Sequence, residues 1–231
     1  MEAEKKSVEI LKLIQEKSVM KQAIFDNLFA TFTLLKKVLK DIEIEFNSNL
    51  INSDKRVWLK FSSHNNFQCE LKIAGDVLIF MMHTNVFDFD REHAIRKMPH
   101  IKTVPNATYA GIISIYNFLS DSFRYSRYED IGYLVGRIFV NKDKHFFVEG
   151  KRQTEFLYNT LGKEIISYNA LRTIVESTIL YTLQFDLLVT PYEQLKSLNV
   201  SQIIERQRQN SIQTGKRLGF TFNADDVSDI H

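Results

Sequence analysis

Over residues 4–45 apolar side chains recur every three to four positions, with neither Gly nor Pro, so the spacing predicts helix. Read as heptads, positions 11, 14, 18, 21, 25, 28, 32, 35, 39 and 42 hold Leu, Ile, Ser, Lys, Phe, Leu, Phe, Leu, Leu and Ile. The two polar residues, Ser18 and Lys21, are neighbours on that seam. The pattern therefore allows one long helix with a polar break or two helices meeting there. Ile24, Phe29, Leu34 and Val38 widen the stripe beyond what a two-stranded coiled coil needs. Such a helix can pack on its own domain or pair with a second copy, and a homodimer is the partner it suggests.

The pattern then changes to period two. The stretch 46–56, FNSNLINSDKR, reads as a loop, and Val57–Phe61 as a short strand. Phe67, Cys69, Leu71 and Ile73 alternate with Gln68, Glu70 and Lys72, predicting a strand with one wet face. A turn at Ala74-Gly75-Asp76 leads into Val77–Met82, apolar on both faces. Residues 88–107 are polar, with a short helix around Arg91–Met98. Tyr109–Leu119 is another doubly apolar strand, and Ile131–Val140 with Lys144–Gly150 forms a hairpin in which Gly132 and Gly136 suggest a bulge or a close approach. Helical signals return at Thr154–Leu161, Lys163–Val189 and 190–209, the last opened by Thr190-Pro191-Tyr192-Glu193. Residues 210–231 read as a mobile polar tail ending in acids.

Helix, then strands, then helix is α+β grammar. The expectation is one domain over 1–209, with an antiparallel sheet of about five to six strands at 57–150. It packs between a long N-terminal helix and C-terminal helices.

Composition narrows the class without naming a function. The 231 residues are 44% hydrophobic and 25% charged, with 8 Gly and 3 Pro, which excludes disordered and collagen-like chains. A net charge of +2 gives no global drive toward nucleic acid or an anionic membrane, so neither is an expected partner. No stretch reads as a bilayer span or signal peptide, and the one cysteine, Cys69, reads as a buried structural thiol; the setting expected is cytoplasmic.

No nucleotide-binding, hydrolase or zinc signature is present, so no cofactor is called for. Four groups could still carry chemistry. His83, Asp88, Asp90 and His93 have the ligand types of a histidine–carboxylate metal site, and Asp88 and Asp90 alternate with Phe87 and Phe89. Asp130 with Glu149-Gly150-Lys151 resembles the PD-(D/E)xK nuclease motif, in which two carboxylates hold Mg²⁺ and the lysine helps activate water. That resemblance implies a Mg²⁺-dependent nuclease or phosphoryl hydrolase using Asp130, Glu149 and Lys151. It covers about 25 residues; Glu129 stands where the motif has Pro, and Glu4 and Glu70 also begin an acid-x-Lys triplet. Phe123-Arg124-Tyr125-Ser126-Arg127-Tyr128 interleaves arginines and aromatics as base-stacking segments do, but acids bracket it.

The last group is Arg137, the polar exception in YLVGRIFV, on the parity of Ile131, Tyr133, Val135 and Phe139. A half-buried arginine needs an anion, and Glu149 on the partner strand is placed to supply one. Either the pair ties the hairpin together or Arg137, Arg124, His145 and Glu149 line an anion-binding pocket. The reading that follows is a non-catalytic cytoplasmic module binding a small ligand or a protein, assembled as a homodimer through its long helix.

Overall fold

The computed structural model describes residues 2–104, 106–128, 130–150, 158, 160–184, 187–188 and 220–221. Residues 2–49 form one nearly continuous helix. Helix α1 (Glu2–Leu13) runs through a π-helical turn (Ile14–Ser18) into α2 (Val19–Asn49). The Val19 N–H bonds back to the Ile14 carbonyl, one residue further than an α-helix reaches. The seam's polar interruption thus coincides with a one-residue shift in helical phase, not with a break between two helices.

The helix also extends past the predicted loop boundary. Ser48 Oγ (2.6 Å) and Asn49 Nδ2 (3.0 Å) donate to the Glu45 carbonyl, so the small polar residues serve the last turn. Asn47 clamps the chain that follows: its Nδ2 donates to the Leu59 carbonyl (2.8 Å) and its Oδ1 accepts the Leu59 N–H (2.9 Å). That side chain mimics a strand partner and aims the chain into the sheet.

The strands are β1 (Lys60–Ser63), β2 (Gln68–Ile73), β3 (Asp76–Met82), β4 (Phe87–Asp88), β5 (Tyr109–Leu119), β6 (Tyr133–Asn141) and β7 (Phe146–Gly150). All pair antiparallel in the order β1-β2-β3-β5-β6-β7, with the short β4 beside the start of β5. Between β4 and β5 lies the short helix α3 (Pro99–Thr103); between β5 and β6 lies α4 (Ser120–Arg124). Helix α5 (Tyr168–Leu183) starts later than its periodicity suggested, capped by Ser167, whose Oγ accepts the Ala170 N–H at 3.2 Å. Ile165 is extended and bridges to His145 instead. Leu187–Leu188 pairs in parallel with Phe220–Thr221. Apart from such fragments, the predicted helices at 154–161 and 190–209 and the predicted tail at 210–231 lie outside the described residues.

Both long helices lie on the same face of the sheet, side by side, rather than one on each side. Leu28, Phe32, Leu35 and Leu39 of α2 and Leu171, Ile174 and Val175 of α5 bury against Leu71, Phe80, Ile113, Ile138 and Phe146. Polar contacts fasten α5 to α2: Tyr168 donates to Asp41 (2.8 Å) and Arg172 bridges to Glu45 (2.8 Å). Helix α2 sits tightly, since a Cβ on Gly111 of β5 would lie 2.6 Å from Leu28 Cδ2. Packing starts at Met20; every residue from Lys5 to Val19 is exposed.

The opposite face is covered only in part. Phe89, Ile95, Met98 and Ile101, from the segment read as polar, close over Ala110, Phe139 and Phe147. A bulge in β6 decides which side chains share that face. Ile115 pairs with Gly136, whereas Tyr116 pairs with Leu134, leaving Val135 as the extra residue. Arg137 therefore shares its face with Phe139 and Leu134, and the parity expected with Tyr133 is broken. Gly132 lies under the Phe118 ring, which a Cβ there would strike at 2.2 Å.

The β2–β3 hairpin stores a removable strain. Ile73 pairs with Asp76 across a two-residue turn whose first residue, Ala74, has φ 51°. That conformation costs an L-residue with a Cβ roughly 1–2 kcal/mol that glycine avoids. Ala74→Gly should raise unfolding stability by about 1 kcal/mol in a denaturant titration; an unchanged or lower midpoint would contradict the turn geometry. No helix among the described residues is long and apolar enough to cross a membrane.

Candidate functional site

A cavity of about 600 Å³ opens on the half-covered face, in the range of ligand pockets. It lies between segment 87–98 and the ends of β6 and β7. Its aromatic side is built from Phe139 and Phe147, stacked at 4.5 Å and 2°, with Phe89 at 5.2 and 5.6 Å from them. Those rings meet because Phe139 and Phe147 are direct partners in the β6–β7 register. Arg137 and Glu149 also line it and are direct partners, Nη1 to Oε2 3.3 Å.

The wall formed by 88–90 is held by Arg96. Its guanidinium bonds Asp88 (3.0 Å) and the carbonyls of Phe89 (2.9 Å) and Asp90 (2.8 Å). Asp88, Asp90 and His93 line the same cavity as Arg137 and Glu149. Two groups that are separate in the sequence are thus brought together in space.

They do not meet as a metal site. His83 Nδ1 accepts the Asn85 N–H (3.1 Å) and His93 Nδ1 accepts the Ile95 N–H (3.2 Å). A neutral imidazole so engaged carries its hydrogen on Nε2 and has no lone pair left to give. Among the described residues no three His, Cys, Asp or Glu side chains are gathered closely enough to hold an ion.

Asp130 and Glu149 are not neighbours either. Asp130 accepts from Ser122 of α4 (2.5 Å) and pairs with Arg127 (2.8 Å), beyond the end of β5. Glu149 lies on the row of Ser114 and Arg137. From Ser114 to Leu119 the strand advances about 16 Å, whereas carboxylates sharing Mg²⁺ must each reach within about 2 Å of it. Lys151 lies outside the described residues. Arg124 sits 5.3 Å over the ring of Tyr125 and does not line the cavity. Burial pushes the Cys69 thiol up to about 12, so it is no nucleophile at neutral pH.

His145 sits at the β6–β7 turn, its ring 4.7 Å from that of His100 on α3. His100 Nε2 is buried without a hydrogen-bond partner. Desolvation first, and His145 second, hold the His100 imidazole below its usual range. A histidine that resists protonation when folded stabilises the fold fully above about pH 6.5, its ordinary pKa. Stability is lost as the pH falls below that value toward the lowered one. The thermal midpoint should therefore fall between pH 7 and 5.5, and less steeply for His100→Phe; identical slopes would contradict it.

Comparison of the chain with protein families, with characterised proteins and with solved structures finds no match.

Proposed function

We propose that this protein is a non-catalytic binding module of the cytoplasm whose first partner is a second copy of itself, held through the free end of its long helix. One observation carries the reading. Val8, Ile10, Leu11, Leu13, Ile14 and Val19 are each more than half exposed, on a helical segment that extends about 27 Å from Glu2 to Val19. Leu11 and Ile14 continue the sequence heptad of Phe32, Leu35 and Leu39, but the π-helical turn between them rotates them off the face that α2 spends on the sheet. Lys5, Glu9, Lys12 and Glu16 occupy the opposite side of the helical wheel, leaving the apolar side for contact.

The area suits a reversible dimer. Six half-exposed aliphatic side chains from each of two copies offer on the order of 600 Å² of apolar surface, or roughly 1,000 Å² of total interface. That is the low end of specific association, so a micromolar dissociation constant follows. A free thiol buried as Cys69 is at home in a reducing compartment.

Hydrogen exchange tests the reading in the unmodified chain. Amides of 8–14 should become protected as concentration rises through the micromolar range, while those of β3 and β5 stay constant. Fast exchange of 8–14 at every concentration would overturn it.

A further inference from the structure

Independently of dimer formation, we propose that the cavity between segment 87–98 and strands β6–β7 takes a small organic cation, an amine with an aromatic or branched apolar body. The lining contains three carboxylates, Asp88, Asp90 and Glu149, but one guanidinium, Arg137. Arg137 is committed to Glu149 at 3.3 Å, and Asp88 is neutralised by Arg96 at 3.0 Å. Asp90 has no ion-pair partner among the described residues; its Oδ1 accepts a long bond, 3.5 Å, from the Glu92 N–H. Among the described residues the balance left in the cavity is thus one uncompensated negative charge.

The apolar part points to the same ligand class. Phe87, Phe89, Phe139 and Phe147 line one space. Ring faces attract cations as well as apolar groups, and stack on a ligand ring. An anion at Arg137 would share the guanidinium with Glu149 and sit beside Asp90, so the site suits a cation better than the anion that Arg137 suggests in sequence. The cavity volume of about 600 Å³ exceeds what a single ring with a short ammonium arm fills, leaving room for a larger body.

The test uses two probes that share a ring and differ in charge, 2-phenylethylammonium and phenylacetate, titrated into the full-length protein and followed by amide chemical shifts. The ammonium probe should saturate with a dissociation constant on the order of 1 mM, as befits so small a ligand. Shifts should centre on Phe89, Phe139 and Phe147, and phenylacetate should not saturate. Asp90→Asn, at an exposed position, should weaken the ammonium probe about fivefold, whereas Asp54→Asn on the β1 approach should not. Arg137→Met releases Glu149 and should tighten it by a few-fold. Saturation by phenylacetate, weakening of the ammonium probe in Arg137→Met, or no saturation by either probe would each overturn the assignment.

Discussion

Phe32→Ala is expected to lower the free energy of unfolding by about 4 kcal/mol, while Phe29→Ala, three residues away on the same helix, costs about 1 kcal/mol or less. Phe32 is 1% exposed, wedged between α2 and the sheet. Removing its ring loses the transfer free energy of a buried aromatic and leaves a cavity that Leu28, Leu35 and the strands cannot collapse into, because Gly111 already lets Leu28 touch the β5 backbone. Phe29 is 36% exposed, and its neighbours are the rings of Phe25 and Phe67, each centred 6.2 Å away. Against a typical total of about 5–15 kcal/mol, the first change removes a large share of stability. Urea titration of both variants checks it; equal midpoints would mean that α2 does not carry the core.

The second large effect concerns association and leaves the fold alone. Leu11→Glu combined with Ile14→Glu places four carboxylates in the contact between two copies. Burying or opposing those charges should raise the dissociation constant of the dimer at least a hundredfold. Neither side chain touches the core: Leu11 is 58% and Ile14 51% exposed. Thermal unfolding at high dilution should therefore match that of the unmodified chain. A variant that still dimerises with unchanged affinity would place the contact elsewhere on the molecule. A variant that unfolds would show that residues 8–14 already pack within one copy.

How far the sequence could be read depended on how local each cause was. Period two over Gln68–Ile73 reports directly which residues are buried, since Cys69, Leu71 and Ile73 are buried and Gln68, Glu70 and Lys72 only half-buried. The Arg137–Glu149 pair was readable because hairpin register follows from the turn at Asn141–Lys144. Other features were legible only in part or not at all. Gly132 and Gly136 suggested a bulge in this arm, but not that it falls at Val135, where the added residue reverses the parity of everything before it. The segment 88–107 reads as polar by count, yet apolar side chains at 89, 95, 98 and 101 cover the second face. The cavity joins residues some fifty positions apart, which only the β4–β5 pairing brings together. The long helix is the instructive case: one periodic stripe serves two purposes. From Met20 onward it is spent on the sheet, and before Val19 it remains uncovered.

The account turns on what covers that uncovered stretch, and sedimentation equilibrium of the full-length chain addresses it most directly. From about 1 to 100 µM, the range set by an interface of this size, the weight-average mass should rise from near one copy, 27.1 kDa, toward two. A mass that stays at one copy across the whole range would contradict the proposed dimer.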